Sequence, residues 1–300
     1  MRAPELTLRL PERYVVERSG ANLCALHRDA HAALRAAGYG ADSARVYAAS
    51  RLSGRRPLYE IATPDGVFLL RRFSHGGLLR FLTRARFADP MRPFRELCIS
   101  AALREAGFHT PEVVAARARA LTGGGFELEI VTRRVEHARD LGFVLAAARR
   151  GEIDARARRG LCTAVGTLVR RLHDTGFLHA DLMPNNLLVE DAELARATPR
   201  VWLLDLDRTR RVAAASPAER HTNLERFVRF VVRREEKLGR ALARTDLARF
   251  FRSYEPDGRR WKDTARAVLA LVQRRSGLHR AGGWLEASFA KRRDPREGAV

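Results

Sequence analysis

The sequence predicts an α+β protein in two lobes, a small β-rich amino lobe followed by a mainly helical carboxyl lobe. Three observations carry this. The chain has 300 residues, 46% of them apolar, enough for packed cores and far from a disordered composition. Short β-type runs with one helix among them fill the chain up to about residue 135. From 138 onward the apolar spacing turns helical, interrupted by one short strand pair.

In order along the chain, residues 44–73 read as three strands, ARVYAAS, LYEIA and GVFLL, separated by the turn chemistry of SGRRP and TPDG. A basic apolar segment, GGLLRFLTRARF (76–87), follows. The stripe Phe94, Leu97, Ala101 and the stop at Gly107 then mark a helix over roughly 91–106. Strands near 112–118 and 126–135 are joined by TGGGF, where Gly123, Gly124 and Gly125 read as a hairpin turn rather than a phosphate cradle. Helices are expected over 139–150, 156–175, 218–238, 244–254 and 260–275, with LLVE and RVWLLD as the intervening strand pair. The lobe junction falls near 135–140.

The charge balance is 56 basic against 35 acidic residues, a net +21. Lysine stands only at Lys237, Lys262 and Lys291, so 53 of the 56 basic residues are arginine. That excludes a Walker-A phosphate loop and any Schiff-base lysine in the first three quarters of the chain. Such a balance predicts anionic partners, although the arginines are scattered and a GC-rich coding bias gives the same ratio. Cys24, Cys98 and Cys162 are widely spaced with no C-x-x-C, so neither a disulfide framework nor a zinc site is expected, and a reducing cytosol fits. The first 20 residues lack the apolar core of a signal peptide. The longest apolar run, near LGFVLAAA (141–148), is far short of the roughly 20 residues that span a bilayer. A soluble or peripheral protein is expected.

The chemistry concentrates in FLHADLMPNNLLVE (177–190) and RVWLLDLDRTR (200–210). His179-x-Asp181 with Asn186 five residues after the aspartate matches the kinase loop H-x-D-x-x-x-x-N. Asp205 closes the run Val201, Trp202, Leu203, Leu204, as a metal-binding aspartate does at a buried strand end. Phosphoryl transfer needs a carboxylate to orient the acceptor hydroxyl and take its proton, which assigns Asp181. It also needs hard oxygen ligands for Mg²⁺ on the ATP phosphates, which assigns Asn186 and Asp205. His27-Arg28-Asp29 looks similar, but Leu34 stands where the asparagine belongs and the surroundings read as exposed helix. Upstream, Gly54 between two strands marks the place of an ATP clamp. It is a single glycine beside Arg55, Arg56 and Pro57. With no lysine available, Arg71 at the end of VFLLR is the phosphate-positioning cation and Glu96 its carboxylate partner.

On these residues the chain resembles the lipopolysaccharide kinases, and most closely the 3-deoxy-D-manno-octulosonic acid (Kdo) kinases, from about residue 45 to 255. LRRFSHGGLL, FREL around Glu96, TPEVVAA, HADLMPNNLLV, WLLDLDR, NLERFVRFV (223–231) and FFRSY (250–254) carry the resemblance. It implies a protein-kinase-like two-lobed fold, with an ATP-clamping amino lobe over 41–136 and a carboxyl lobe over 137–300, while an amino-terminal extension over 1–40 departs from the family. It further implies ATP- and Mg²⁺-dependent phosphorylation of a Kdo hydroxyl in the lipopolysaccharide inner core, with Asp181 as base, Asn186 and Asp205 as metal ligands, and Arg71 with Glu96 as the phosphate-positioning pair. The partners would be a Kdo-bearing lipid A precursor and the anionic cytoplasmic face of the inner membrane, where a basic peripheral enzyme concentrates.

The alternatives are a kinase-fold phosphotransferase for heptose or another small hydroxyl compound, a protein kinase, or a non-catalytic kinase-like module. The chain has no D-F-G and no A-P-E, since Asp205-Leu206-Asp207 runs into Arg208. An adaptor would not need Asp181, Asn186 and Asp205 together. No nucleic-acid motif is present, and three Trp and five Tyr provide little for stacking. His27 and His31 stand at i, i+4 with no third ligand in the sequence nearby. The segment 76–87 has the composition of an interfacial element as much as of a packed helix. Arg226, Arg229, Arg233 and Arg234 share that ambiguity on a helix whose Leu224, Phe227, Val228 and Val231 face the core.

Overall fold

Residues 6–52, 57–74, 86–258 and 260–275 are described by a computed structural model. They divide into two units. The first takes the described residues up to Arg139 together with Leu187–Asp191 and Arg200–Arg211; the second takes Asp140–Asn186, Ala192–Pro199 and the described residues from Val212 on. Gly54 and most of the basic apolar segment 76–87 lie outside the described residues.

The first unit is built on an antiparallel seven-stranded sheet. Its elements are β1 (Tyr14–Ser19), β2 (Asn22–His27), α1 (Arg28–Ala36), β3 (Ala48–Ala49), β4 (Leu58–Thr63), β5 (Gly66–Arg72), α2 (Arg92–Glu105), β6 (Val113–Ala120) and β7 (Phe126–Arg133). The strand order is β1-β2-β6-β7-β5-β4-β3. Alternate residues feed opposite faces, as the two-residue strand period requires. Leu23, Ala25, Leu128 and Ile130 pack with Phe94 and Leu97 of α2. Cys24, Leu26, Phe68, Leu70 and Val131 pack with Leu34 of α1 and with Tyr39. Both faces are covered, and the central strands β2, β6 and β7 carry no exposed position.

Three sequence expectations change here. Residues 14–27 pair into the sheet as β1 and β2. ARVYAAS narrows to β3, whose Ala48 and Ala49 sit exposed at the sheet edge. The residues before it turn elsewhere: Tyr47 packs against Tyr39 and Arg45 donates to the Ala37 carbonyl. His27 is not on an exposed helix either. It is 6% exposed, its ring accepts from Asp29 N–H at the start of α1, and Tyr14 meets it edge-on at 5.2 Å. His31 pairs with Glu17 at 3.0 Å. The Gly123–Gly125 turn joins β6 to β7 with all three residues at positive φ, which is where glycine costs least.

One buried ion pair locks the segment after α1 onto this sheet. Arg117 (3% exposed) and Glu129 (1%) face each other across β6 and β7. The Arg117 guanidinium also donates to the Gly40 and Ser43 carbonyls and lies 4.7 Å over the Tyr39 ring. Its donors are met by a carboxylate and two carbonyls, which offsets the desolvation that an isolated buried charge would suffer.

The chain leaves the first unit through β8 (Ala138–Asp140) and enters the second with α3 (Leu141–Arg149), α4 (Ala155–Asp174) and the short β9 (Phe177–Leu178). It then supplies β10 (Leu187–Glu190), β11 (Val201–Leu203) and β12 (Arg210–Arg211). The second unit resumes with α5 (Pro217–Leu238) and α6 (Arg244–Tyr254), and residues 261–275 are helical. Asp140 and Asp154 cap α3 and α4, and Ser216 with Glu219 closes a capping box at the start of α5. The helices pack closely: a Cβ on Gly166 of α4 would stand 2.3 Å from the Phe250 carbonyl oxygen of α6. Among the described residues, no helix is long and apolar enough to cross a membrane.

Candidate active site

The candidate residues fall into two groups, one in each unit. In the first, Arg71 sits near the end of β5 between Leu58 and Ile130 on the flanking strands. Its Nη2 donates to both Glu96 oxygens, at 2.7 and 2.6 Å. Glu96, on α2, is only 7% exposed. Burial pushes its carboxyl pKa up, and Arg71 acts against that rise. Burial also opposes the Arg71 charge, but Glu96 and then Asp205 outweigh it and hold the pKa above the usual value. The guanidinium lies 4.7 Å over Phe73.

Asp205 completes this group. Arg71 Nη1 stands 3.6 Å from its Oδ1, an ion pair too long for a direct hydrogen bond. Asp205 follows β11, which is tied down by Leu203 N–H donating to the His109 carbonyl and by Trp202 Nε1–H donating to Glu190. Its φ of 52° is left-handed, as is that of Arg208 at 63°. Such a backbone costs a non-glycine residue about 1–2 kcal/mol and recurs where a side chain must be aimed. Asp207 points to a further pairing, with Arg92 Nε donating to its Oδ1 at 2.8 Å. The Arg92 guanidinium covers Phe73 and Phe87 at 5.2 and 5.3 Å. Sequence reasoning missed Arg92; nothing in its local pattern marks it, because its partner lies 115 residues away.

The second group forms around Asp181. After α4 the chain turns at Gly176 (φ 79°) and runs through β9 into the loop. His179 is 1% exposed and its Nδ1 accepts from Asp181 N–H at 3.2 Å. Asn186, closing the short turn Pro184–Asn186, donates through Nδ2 to the Asp181 carbonyl at 2.8 Å and to its Oδ2 at 3.3 Å. With the amide nitrogen so engaged, the Asn186 side-chain carbonyl is the end suited to a cation. Arg226 Nη1 takes the other carboxylate oxygen, Oδ1, at 2.9 Å. Both Asp181 oxygens are therefore oriented while its side chain stays 26% exposed.

Behind the loop runs a buried relay that sequence reasoning also missed. Asn223 Nδ2 donates to the His179 carbonyl at 2.7 Å, so its Oδ1 is the acceptor for His173 Nε2–H at 3.0 Å. That fixes the His173 tautomer, and its Nδ1 accepts from the Tyr254 hydroxyl at 2.8 Å. Burial pushes the His173 pKa down to about 4, so the ring is neutral near pH 7. The signal was partly visible, since Asn223 opens NLERFVRFV and Tyr254 closes FFRSY.

Among the described residues, no group of three or more His, Cys, Asp or Glu could cage a metal. Mg²⁺ held together with nucleotide phosphates asks for less: one or two protein oxygen donors, the phosphates and water. A carboxylate such as Asp205 and an amide carbonyl such as Asn186 are donors of that kind.

The Lipopolysaccharide kinase (Kdo/WaaP) family matches residues 42–254. The chain belongs to that family, and its α+β fold is protein-kinase-like. Among individual relatives, a 3-deoxy-D-manno-octulosonic acid kinase of Actinobacillus succinogenes is 33% identical over 143 residues, 46% of this chain and 55% of that protein. One from Haemophilus influenzae (strain PittGG) is 34% identical over 163 residues, 52% of this chain and 64% of that protein. One from Stenotrophomonas maltophilia is 28% identical over 207 residues, 67% of this chain and 76% of that protein. The chain thus spans 55 and 64% of the first two relatives' length. A solved structure, WaaP in complex with acyl carrier protein, shares the fold at a TM-score of 0.56 and 21% identity, covering 77% of this chain and 88% of that one.

Proposed function

We propose that the protein is an ATP-dependent kinase that phosphorylates a Kdo hydroxyl in the lipopolysaccharide inner core. The observation that carries this is the Asp181 carboxylate. It lies on an H-x-D-x-x-x-x-N loop of a Kdo/WaaP family chain, with one oxygen oriented by Arg226 and the other by Asn186. In this reading Asp181 accepts the proton of the attacking hydroxyl, and its fixed orientation keeps the acceptor oxygen in line for transfer. Asp205 and Asn186 would hold Mg²⁺, which would neutralise charge on the ATP phosphates. Arg71, braced by Glu96, holds a phosphate oxygen in place of the usual lysine, with Gly54 in the clamp. The net +21 favours residence at the anionic cytoplasmic face of the inner membrane.

The test is transfer of the ATP γ-phosphate, with Mg²⁺, to a Kdo-bearing lipid A precursor, with Asp181→Asn run alongside. Transfer by the wild type and a loss of ~10²–10⁴ in turnover in the variant, at unchanged thermal stability, is expected. Wild-type turnover in Asp181→Asn removes it as the base. ATP binding without transfer moves the acceptor to heptose or a soluble hydroxyl compound, and absence of both leaves a non-catalytic module.

A further inference from the structure

On α5, Arg226, Arg229 and Arg233 follow one another at i, i+3 and i+7, which places them in one stripe along the helix. The stripe starts at the candidate base, where Arg226 Nη1 meets Asp181 Oδ1 at 2.9 Å. Seven residues of helix carry it about 10 Å further. Arg229 pairs with Glu225 at 3.0 Å, and Arg275 shares the same carboxylate at 2.8 Å. Glu225 is fully buried, so this one carboxylate anchors two guanidiniums from below the surface. Arg233 has no carboxylate partner among the described residues. Four guanidiniums thus face two carboxylates, Asp181 and Glu225. The excess is felt within the protein: burial first, then Arg233, Arg275 and Arg226, hold the Arg229 pKa below the usual value despite Glu225. Like charges gathered beside a base, outnumbering the carboxylates they pair with among the described residues, define a site for anions brought by a ligand.

We infer that the Arg226–Arg229–Arg233 stripe is the cradle for the anionic groups of the acceptor, Arg226 taking the carboxylate or phosphate nearest the reacting hydroxyl and Arg233 one about 10 Å away. This rests on the reading of Asp181 as the base.

Arg233→Gln is the decisive variant, because no described carboxylate is orphaned by it. In neutral detergent micelles the KM for a phosphorylated Kdo-bearing lipid A precursor should rise roughly tenfold, the loss of one charge-assisted contact. Its kcat, its KM for ATP and its unfolding midpoint should not move. With the same precursor stripped of its phosphates, wild type and variant should coincide. An equal change with both precursors, or an unchanged KM with the phosphorylated one, overturns the inference. Calorimetric binding of the two precursors without ATP separates it from the kinase assignment. Charge discrimination without transfer keeps the stripe and removes the reaction, while transfer without discrimination does the opposite. A third arm uses vesicles of phosphatidylglycerol or phosphatidylcholine that lack the acceptor. If Arg233→Gln weakens binding only to the anionic vesicles and leaves the micelle assay untouched, the stripe serves membrane lipid and the acceptor cradle is refuted.

Discussion

Replacing Arg71 by methionine keeps most of its bulk and removes its charge, and the consequence for Glu96 follows from the geometry. Glu96 is 7% exposed and receives Arg71 Nη2 on both oxygens. In the variant it stays buried without its cation, and breaking a buried pair from one side costs roughly 3–5 kcal/mol. The Arg71 side chain is itself 26% exposed, so water reaches the vacated position and the lower figure, about 3 kcal/mol, applies. At roughly 2–4 °C per kcal/mol, the unfolding midpoint should fall by ~6–12 °C at pH 8. The pH dependence has a definite sign. Burial raises the Glu96 pKa and Arg71 lowers it, so the variant raises it further. A carboxyl with a raised folded pKa contributes stability that is complete below the unfolded value, about 4.3, and is lost as pH climbs through the folded one. The deficit of Arg71→Met should therefore be smaller at pH 5 than at pH 8. Adding Glu96→Gln should remove most of it, because a neutral amide replaces the stranded carboxylate. Thermal melts of wild type, Arg71→Met and Arg71→Met/Glu96→Gln at both pH values make the comparison. A loss of equal size at pH 5 and pH 8, or a double variant no better than the single one, refutes the argument.

The remaining predictions concern the cation type, the relay and the turn. Arg71→Lys keeps a charge but loses the planar fork, so its KM for ATP should rise about tenfold with little change in midpoint; unaltered steady-state kinetics would mean that any cation suffices. His173 is neutral in the fold with a pKa of about 4 against 6.5, so its contribution is present above pH 6.5 and lost as pH falls towards 4. The loss amounts to about 3 kcal/mol, and His173→Gln should flatten that limb of a urea-midpoint profile; an unchanged slope counts against the relay. Gly176→Ala would bring a Cβ to 2.1 Å from the Val212 carbonyl oxygen at a φ of 79°. Backbone strain alone accounts for about 1–2 kcal/mol, so denaturation should show a clear loss of stability that Thr175→Ala, next in the chain, does not match.

Much of the fold and the chemistry lay in local pattern. The helices and the β4–β5 and β6–β7 hairpins could be placed because apolar period, turn glycines and caps act within a few residues. His179, Asp181 and Asn186 were legible for the same reason, since the 3₁₀ turn that brings Asn186 back to the Asp181 carbonyl spans five residues. Residues 14–27 were harder to read. Burial on both faces removes the alternation that identifies a strand, and β2 has no exposed position, although β1 beside it still alternates. ARVYAAS misled in the opposite sense, because β propensity says nothing of a sheet edge where Tyr47 turns to pack on Tyr39.

What the sequence by itself determined is therefore the α+β class, the order of the elements and the residue types available for phosphoryl transfer. The chain offers no lysine before Lys237, so arginine is the long-chain cation available in the amino lobe. Only the tertiary structure decided which charges meet. Arg71 lies 25 residues from Glu96, Arg92 lies 115 from Asp207, and Arg226 lies 45 from Asp181. With 56 basic and 35 acidic residues, very many pairings have the right charges. Side-chain charge carries no address, and its partner is selected by how the backbone packs and by the cost of leaving a buried carboxylate unpaired.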